Sequence, residues 1–298
     1  METNYKKIFQ ATLFVAISGI LYGFLGFLGT GVLRENISIS TMLFWRFVIA
    51  GSWILVFVIR KHSTLGLSGN IERRTLLFMF ILGAIGYAGS CGFYFIASKY
   101  TGTGLAMVIF FSYPIMVALS SWLIHRQSFN VVTILMLITM TAGLFLLRDS
   151  SGNEVNWAGI LYGTLAAACY AFYLLGSKRI SSISADSNIL TATVCLGCAF
   201  IFLVLSVSSH DFMVPHTVKS WLYLVALGII ATAVPIQLML EGLKYVSSTR
   251  ASIISVIEPL VTVLVGVLLL DESVSSLQIL GASIILGSAL LVQFQREI

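Results

Sequence analysis

The stretch KYVSSTRASIISVIEPLVTVLVGVLLL, residues 244–270, decides the fold. After Arg250 it runs to Leu270 with a single charged side chain, Glu258, followed directly by Pro259. An apolar run of about 20 residues, rising about 1.5 Å each, covers the hydrocarbon core of a bilayer, about 30 Å. Working outward, similar runs recur at residues 8–30, 39–59, 75–97, 101–123, 129–147, 157–177, 188–208, 220–240, 248–270 and 275–294. Between Thr75 and Ser98, Tyr100 and Ile124, Val155 and Ser177, Ser220 and Leu240, and Ser273 and Gln295 no charged residue occurs. The 298 residues are 58% hydrophobic and 10% charged, with a mean hydropathy of +0.99, too little polar surface to coat a water-soluble globule. The expected fold is therefore all-α: a polytopic membrane protein of ten transmembrane helices.

The charges read as topology signals. A net charge of +5 could suggest a nucleic-acid partner, but the basic residues stand singly and in pairs between apolar runs, so none is expected. With ten spans both termini share one side. That side holds twelve of the seventeen Lys and Arg residues, among them Lys6, Lys7, Arg73, Arg74, Lys178 and Lys244. The other side holds Arg34, Lys99, Arg148 and Lys219, and Arg46 is left inside the membrane. Because cytoplasmic loops carry the excess, both termini are expected in the cytoplasm. No removable signal peptide is expected before the first span. Cys91, Cys169, Cys195 and Cys198 all lie in apolar runs and read as small buried residues, so no metal site or cofactor is expected.

The deciding stretch also has an echo in the first half of the chain. A shift of 145 residues lays Lys99-Tyr100 on Lys244-Tyr245, Ala106 on Ala251, Pro114 on Pro259 and Ser128 on Ser273. Eight identities fall within the 32 pairs from residue 97 to 128; the paired Lys-Tyr and mid-helix proline are not what an apolar composition produces by itself. Two related halves follow, 1–150 and 151–298, of five spans each. Five is odd, so the second half enters the membrane with opposite topology, an inverted-repeat design that places a site near the midplane.

These residues resemble those of a known family. Leu243-Lys244-Tyr245-Val246-Ser247-Ser248, Ile257-Glu258-Pro259-Leu260, Leu268-Leu269-Leu270-Asp271-Glu272 and Gly281 are similar to the hallmark of EamA-type transporters of the drug/metabolite transporter superfamily. Ala97-Ser98-Lys99-Tyr100-Thr101-Gly102, Ser112-Tyr113-Pro114 and Trp45-Arg46-Phe47 resemble the first-half equivalents. The resemblance covers essentially the whole chain. It implies ten helices in two inverted five-helix repeats, and small-metabolite substrates such as amino acids, exported or imported. The first half departs at Tyr113, where the paired position is Glu258, and in ending its span on His125-Arg126-Gln127 instead of an acidic cluster.

An ionisable group at bilayer depth costs at least about 2.5–3.5 kcal/mol on insertion scales, so it marks a cavity or a partner. Glu258 beside Pro259 is positioned to bind a substrate amine or a coupled proton, or to hydrogen-bond a neighbouring helix. Arg46 could pair with Glu258, hold a substrate carboxylate, or snorkel to the interface. Pro114 and Pro259 read as equivalent helix bends. Tyr22, Tyr94, Tyr113 and Tyr170, together with Tyr87 and Tyr173, sit in spans and could contact a ligand, although any one such residue is more often packing. Gln237, beside Pro235, is a further candidate because an amide in lipid seeks a partner. Gly23, Gly26 and Gly29, and Gly83 with Gly86, read as close helix contacts. Asp271-Glu272 and His210-Asp211 read as solvated loop charge at the outer face.

The functional expectation is a secondary transporter moving a small metabolite, an amino acid or related amine or zwitterion, across the inner membrane by alternating access, with a proton as a candidate coupling ion. An intramembrane enzyme, or a channel or receptor, are the competing classes. His62, His125, His210 and His216 all fall at loops or span ends, so an enzyme would have few parts at depth. No Gly-x-x-x-x-Gly-Lys-Ser/Thr stretch occurs, and neither charged rings nor a large extramembrane domain suggests a channel or receptor.

Overall fold

The computed structural model describes residues 2–65, 72–125, 131–147, 156–181 and 186–270, with short helical pieces between 275 and 287. Helices follow in the order α1 (Glu2–Tyr22), α2 (Leu25–Leu33), α3 (Ile39–Leu65), α4 (Arg73–Ile81), a π-helical turn (Leu82–Tyr87), α5 (Ala88–Phe110), α6 (Tyr113–His125) and α7 (Val131–Leu147). Then come α8 (Trp157–Ser181), α9 (Ser187–Ser208), α10 (Val218–Gly228), a second π-helical turn (Ile229–Ala233), α11 (Val234–Gly242), α12 (Ser248–Ile254) and α13 (Ile257–Leu270). Among the described residues there is no strand. In hydrocarbon every backbone polar group needs a partner inside the chain, and a helix supplies it locally.

Among the described residues eight helices are long and apolar enough to cross a membrane: Lys6–Leu33, Ile39–Arg60, Arg73–Thr101, Ala106–Leu123, Trp157–Ser181, Ser187–Ser208, Val218–Gly242 and Ser248–Leu269. These fall on eight of the ten expected runs. The run at 129–147 is the 17-residue helix α7. The run at 275–294, with Asp271-Glu272 before it, lies largely outside the described residues.

Contacts along α8 reveal a reversal inside α5. Gly86 lies against Tyr173 and Gly89 against Cys169, and Thr101 reaches Gly159; then Ile109 lies against Gly163 and Tyr113 against Tyr170. The chain thus turns back between Thr101 and Ile109, separating the Arg73–Thr101 and Ala106–Leu123 spans.

The bundle is assembled by pairing α5 with α8, α3 with α9, and α1 with α11. On α9 the buried side chains Leu190, Val194, Cys198 and Phe202 recur at helical spacing, while Leu196, Phe200 and Leu203 project outward, where a bilayer would receive them. Backbones meet at Gly83 and Gly197. A Cβ on Gly83 would collide with Val194 O, and one on Gly197 with Phe80 O and Ala84 N. Gly23 and Gly86 are close contacts of the same kind, with Val261 at 2.5 Å and Tyr173 at 3.0 Å of a built Cβ. Gly26 and Gly29 are not: the nearest atoms are at 3.8 and 3.9 Å, ordinary van der Waals distance, so spacing alone overread them.

Loop contacts group the ends. Lys219 pairs with Glu35 at 2.9 Å, and Thr41 Oγ1 donates to Asp211 O at 2.7 Å, so the loops after α2 and α9 lie together. At the other end Lys178 Nζ donates to Leu243 O at 2.7 Å, and Lys7 lies over the Tyr245 ring. Lys219 thus lies at one end and Lys178 and Lys7 at the other.

Candidate functional site

The middle of the bundle is built where helices are interrupted. The two π-helical turns sit one in each half, Leu82–Tyr87 and Ile229–Ala233, and the breaks between α5 and α6 and between α12 and α13 fall just before Pro114 and Pro259. Applying the 145-residue shift brings each pair into register within two residues. Proline supplies no N–H and clashes with the preceding turn, which explains the breaks. A π turn bonds five residues apart and leaves carbonyls out of the regular ladder, a common feature of functional sites.

Arg46, on α3, answers the second π turn. It is 1% exposed, and its Nε donates to Thr232 Oγ1 at 2.6 Å while Nη2 reaches Ala231 O at 3.4 Å. Thr232 Oγ1 donates in turn to Leu227 O, five residues back, at 2.7 Å. The Phe47 ring lies 5.0 Å below the same guanidinium. Arg46 therefore does not snorkel, and no carboxylate pairs with it within ion-pair distance among the described residues.

Around this cation stands a wall of tyrosines. Tyr87, from the first π turn, donates to Tyr22 Oη of α1 at 2.9 Å, and its ring packs edge-on against Tyr173 of α8 at 4.9 Å. Tyr170, one turn away on α8, meets Tyr113 edge-on at 4.6 Å. Tyr113 is held by a 3.4 Å hydrogen bond to Ser252 O, and Tyr94 packs on Phe110. Edge-to-face contacts of this kind favour the ring quadrupoles and fix the ring positions.

Glu258 enters from the start of α13. It is half-buried, its carboxylate accepts no hydrogen bond within the described residues, and only its backbone carbonyl is used, by Thr262 Oγ1 at 3.1 Å. Its helix packs on α1 on either side of Tyr22, with Ile257 against Gly19 and Val261 against Gly23, and follows the short α12 whose Ser252 O takes the Tyr113 hydrogen bond. Tyr22 joins the tyrosine wall through Tyr87. Gln237 is engaged elsewhere: Nε2 donates to Asn188 Oδ1 at 2.6 Å, tying α11 to the start of α9. Thr232 and Ser252 were missed by the sequence reading, because common small residues in an apolar span carry no signal of their own. No group of three or more His, Cys, Asp or Glu suited to a metal occurs among the described residues.

Such a fold and centre define a polytopic helical membrane protein whose middle is polar and aromatic-walled. The chain belongs to the EamA-like transporter family, whose sequence profile matches it twice, at residues 10–148 and 157–294. It is thus a membrane transporter. It is similar to an uncharacterized transporter of Archaeoglobus fulgidus, 27% identical across 93% of this chain and 94% of that one. It is also similar to the uncharacterized inner membrane transporter YicL of Salmonella typhimurium, 23% identical across 95% of each. A solved crystal structure superposes with a TM-score of 0.80 at 19% identity, covering 95% of this chain and 96% of that one.

Proposed function

We propose that the chain is a secondary transporter of a small amine or zwitterionic metabolite, an amino acid in the simplest case. It works by alternating access in the inner membrane, with both termini in the cytoplasm. One observation carries this reading: a carboxylate, Glu258, and a guanidinium, Arg46, stand on helices that border the tyrosine cluster, and neither is ion-paired among the described residues. Two opposite charges at depth are costly unless a ligand completes them, and an α-amino acid carries the matching ammonium and carboxylate. Tyr113, Tyr170, Tyr94 and Tyr22 bound the space between them, and Glu258 is the group to exchange a coupled proton.

Ten helices in two inverted five-helix halves, 1–150 and 151–298, supply the motion. The twofold match to one family profile supports that division, as does the recurrence of π turn and proline break in each half. Pro114 and Pro259 then act as equivalent bends, and rocking one half against the other turns the site from one side to the other.

Purified protein in liposomes decides the matter. Labelled amino acids, amines, nucleosides and carboxylates are offered with and without a pH gradient. Saturable uptake of an amine or zwitterion that stops in Glu258→Gln supports the proposal; uptake confined to another class, or unaffected by Glu258→Gln and Arg46→Met, overturns the substrate and site assignment.

A further inference from the structure

Among the described residues, several intramembrane hydroxyls satisfy themselves on their own helix. Thr12, Thr164, Thr191 and Ser255 each donate to the carbonyl four residues earlier on their own helix, at 2.7–2.9 Å. Three hydroxyls of α8 do not. Tyr173 Oη and Ser177 Oγ face one another, but neither they nor Ser181 Oγ closes a hydrogen bond of good geometry, and their residues are at most 3% exposed. Spaced four apart, they form one face of the helix, running from the tyrosine wall toward its Lys178–Arg179 end. Ser187, which opens α9 beyond the next loop, is a fourth orphan at that end. The one other orphan hydroxyl among the described residues, Ser206, is alone at the far end of α9.

A buried polar group without a partner is a standing free-energy cost that native structures rarely retain without a reason. A row of three, beginning at the wall of the site, points to a face that is satisfied in another conformation, by water or by a passing solute. Its far end is shut in this structure by Lys178 Nζ, which bridges from α8 to Leu243 O, while at the tyrosine wall Tyr113 Oη bridges from α6 to Ser252 O of α12. The site residue Glu258 remains half-buried while the row is fully occluded.

We propose that Tyr173, Ser177 and Ser181 line the second half of the solute pathway, closed here behind the Lys178–Leu243 bridge, and form a transient hydroxyl subsite for the polar groups of the solute as it leaves. The proposal rests on the transporter reading above. It adds a route and a subsite that the Arg46–Glu258 centre does not by itself require.

Ser177→Cys and Ser181→Cys, each also combined with Lys178→Ala, are treated in proteoliposomes with a small cationic methanethiosulfonate reagent. Labelling is followed peptide by peptide, with Phe172→Cys on the outward face of α8 as the comparison and a monodisperse elution profile as the check of folding. The expected result is slow labelling at 177 and 181 that becomes roughly tenfold faster in Lys178→Ala, the order set by removing one charge-assisted hydrogen bond from the closed state. No labelling at either position in either background, or labelling that Lys178→Ala leaves unchanged, overturns the proposal. Either of the two cysteine positions suffices if the other variant does not fold. The readout does not depend on knowing the solute. Uptake that stops in Glu258→Gln together with unlabelled 177 and 181 rejects this pathway and keeps the transporter; Lys178-dependent labelling without uptake of any amine or zwitterion keeps the pathway and rejects the substrate assignment.

Discussion

Arg46 donates to Thr232 Oγ1 at 2.6 Å across the seam between α3 and the second π-helical turn, so the buried cation is held by a hydroxyl and a carbonyl and not by an acid. Neutral partners orient a guanidinium without neutralising it. Arg46→Met keeps the volume and removes an unpaired buried charge, leaving Thr232 still bonded to Leu227 O. Replacing buried charge by packed apolar atoms is commonly neutral or stabilising. Thermal unfolding in detergent should therefore stay level or rise, within about 1–2 kcal/mol, while uptake is lost; a large fall in stability with uptake retained would make Arg46 a purely structural residue.

The hydroxyls of Tyr22 and Tyr87, 2.9 Å apart, bind α1 to the first π turn. Both residues are buried, so a double-mutant cycle of Tyr22→Phe and Tyr87→Phe should return a coupling of about 0.5–1.5 kcal/mol in unfolding free energy. Either single change leaves one hydroxyl unpaired and should cost about 1–3 kcal/mol. A coupling of zero would mean that the two hydroxyls do not meet in the membrane.

The spans were legible because lipid demands uniform apolar length, and Arg46, Glu258 and Pro259 were legible because such residues are rare inside it. Which face of a helix is buried was much less so. On α9 the buried Leu190 and Phe202 and the outward Leu196 and Phe200 have the same hydropathy, since lipid and protein interior are equally apolar. Only small residues such as Gly197 and Cys198 mark the seam, and small residues also sit where nothing packs tightly, as at Gly26 and Gly29. The π turns have no local signature either. Thr232 becomes part of the centre because Arg46 of another helix needs it, and Gln237 is drawn aside because Asn188 is within reach.

Glu35 and Lys219 give a pH dependence whose sign can be worked out. The hydrogen bond from Lys219, then that from Thr217, lowers the Glu35 carboxyl below its ordinary value of 4.5; the same contact raises Lys219 above 10.5. A lowered acid stabilises above its ordinary value and loses that contribution as pH falls through the folded one. A raised base stabilises below its ordinary value and loses it as pH rises through the folded one. Protection of the amides at the start of α10, taken relative to the intrinsic exchange rate at each pH, should thus be greatest across the range between those two ordinary values and fall outside it. Glu35→Gln should remove the acid limb, and salt should shrink the whole effect because the pair is solvated.

The crossing of the Arg73–Thr101 span with α9 at Gly83 and Gly197 makes the sharpest steric test. Gly197→Ala would press a methyl group onto Phe80 O and Ala84 N, backbone atoms that cannot rotate away, and Gly83→Ala would do the same to Val194 O. Each should destabilise by about 1–3 kcal/mol or more, because an overfilled contact is relieved only by moving a helix. Cys198 Sγ donates to Gly83 O at 3.2 Å across the same seam, so Gly197→Ala should also disturb that bond. Gly26→Ala has the opposite expectation. Its new Cβ would sit 3.8 Å from Thr262 Cγ2, with room to spare, and alanine gains up to about 1 kcal/mol over glycine inside a helix. Thermal stability measured side by side in one detergent should rank Gly26→Ala at or above the parent and both Gly83→Ala and Gly197→Ala below it. Equal tolerance at all three positions would show that α9 and the Arg73–Thr101 span do not meet backbone to backbone, and the polar centre they flank would have to be assembled differently.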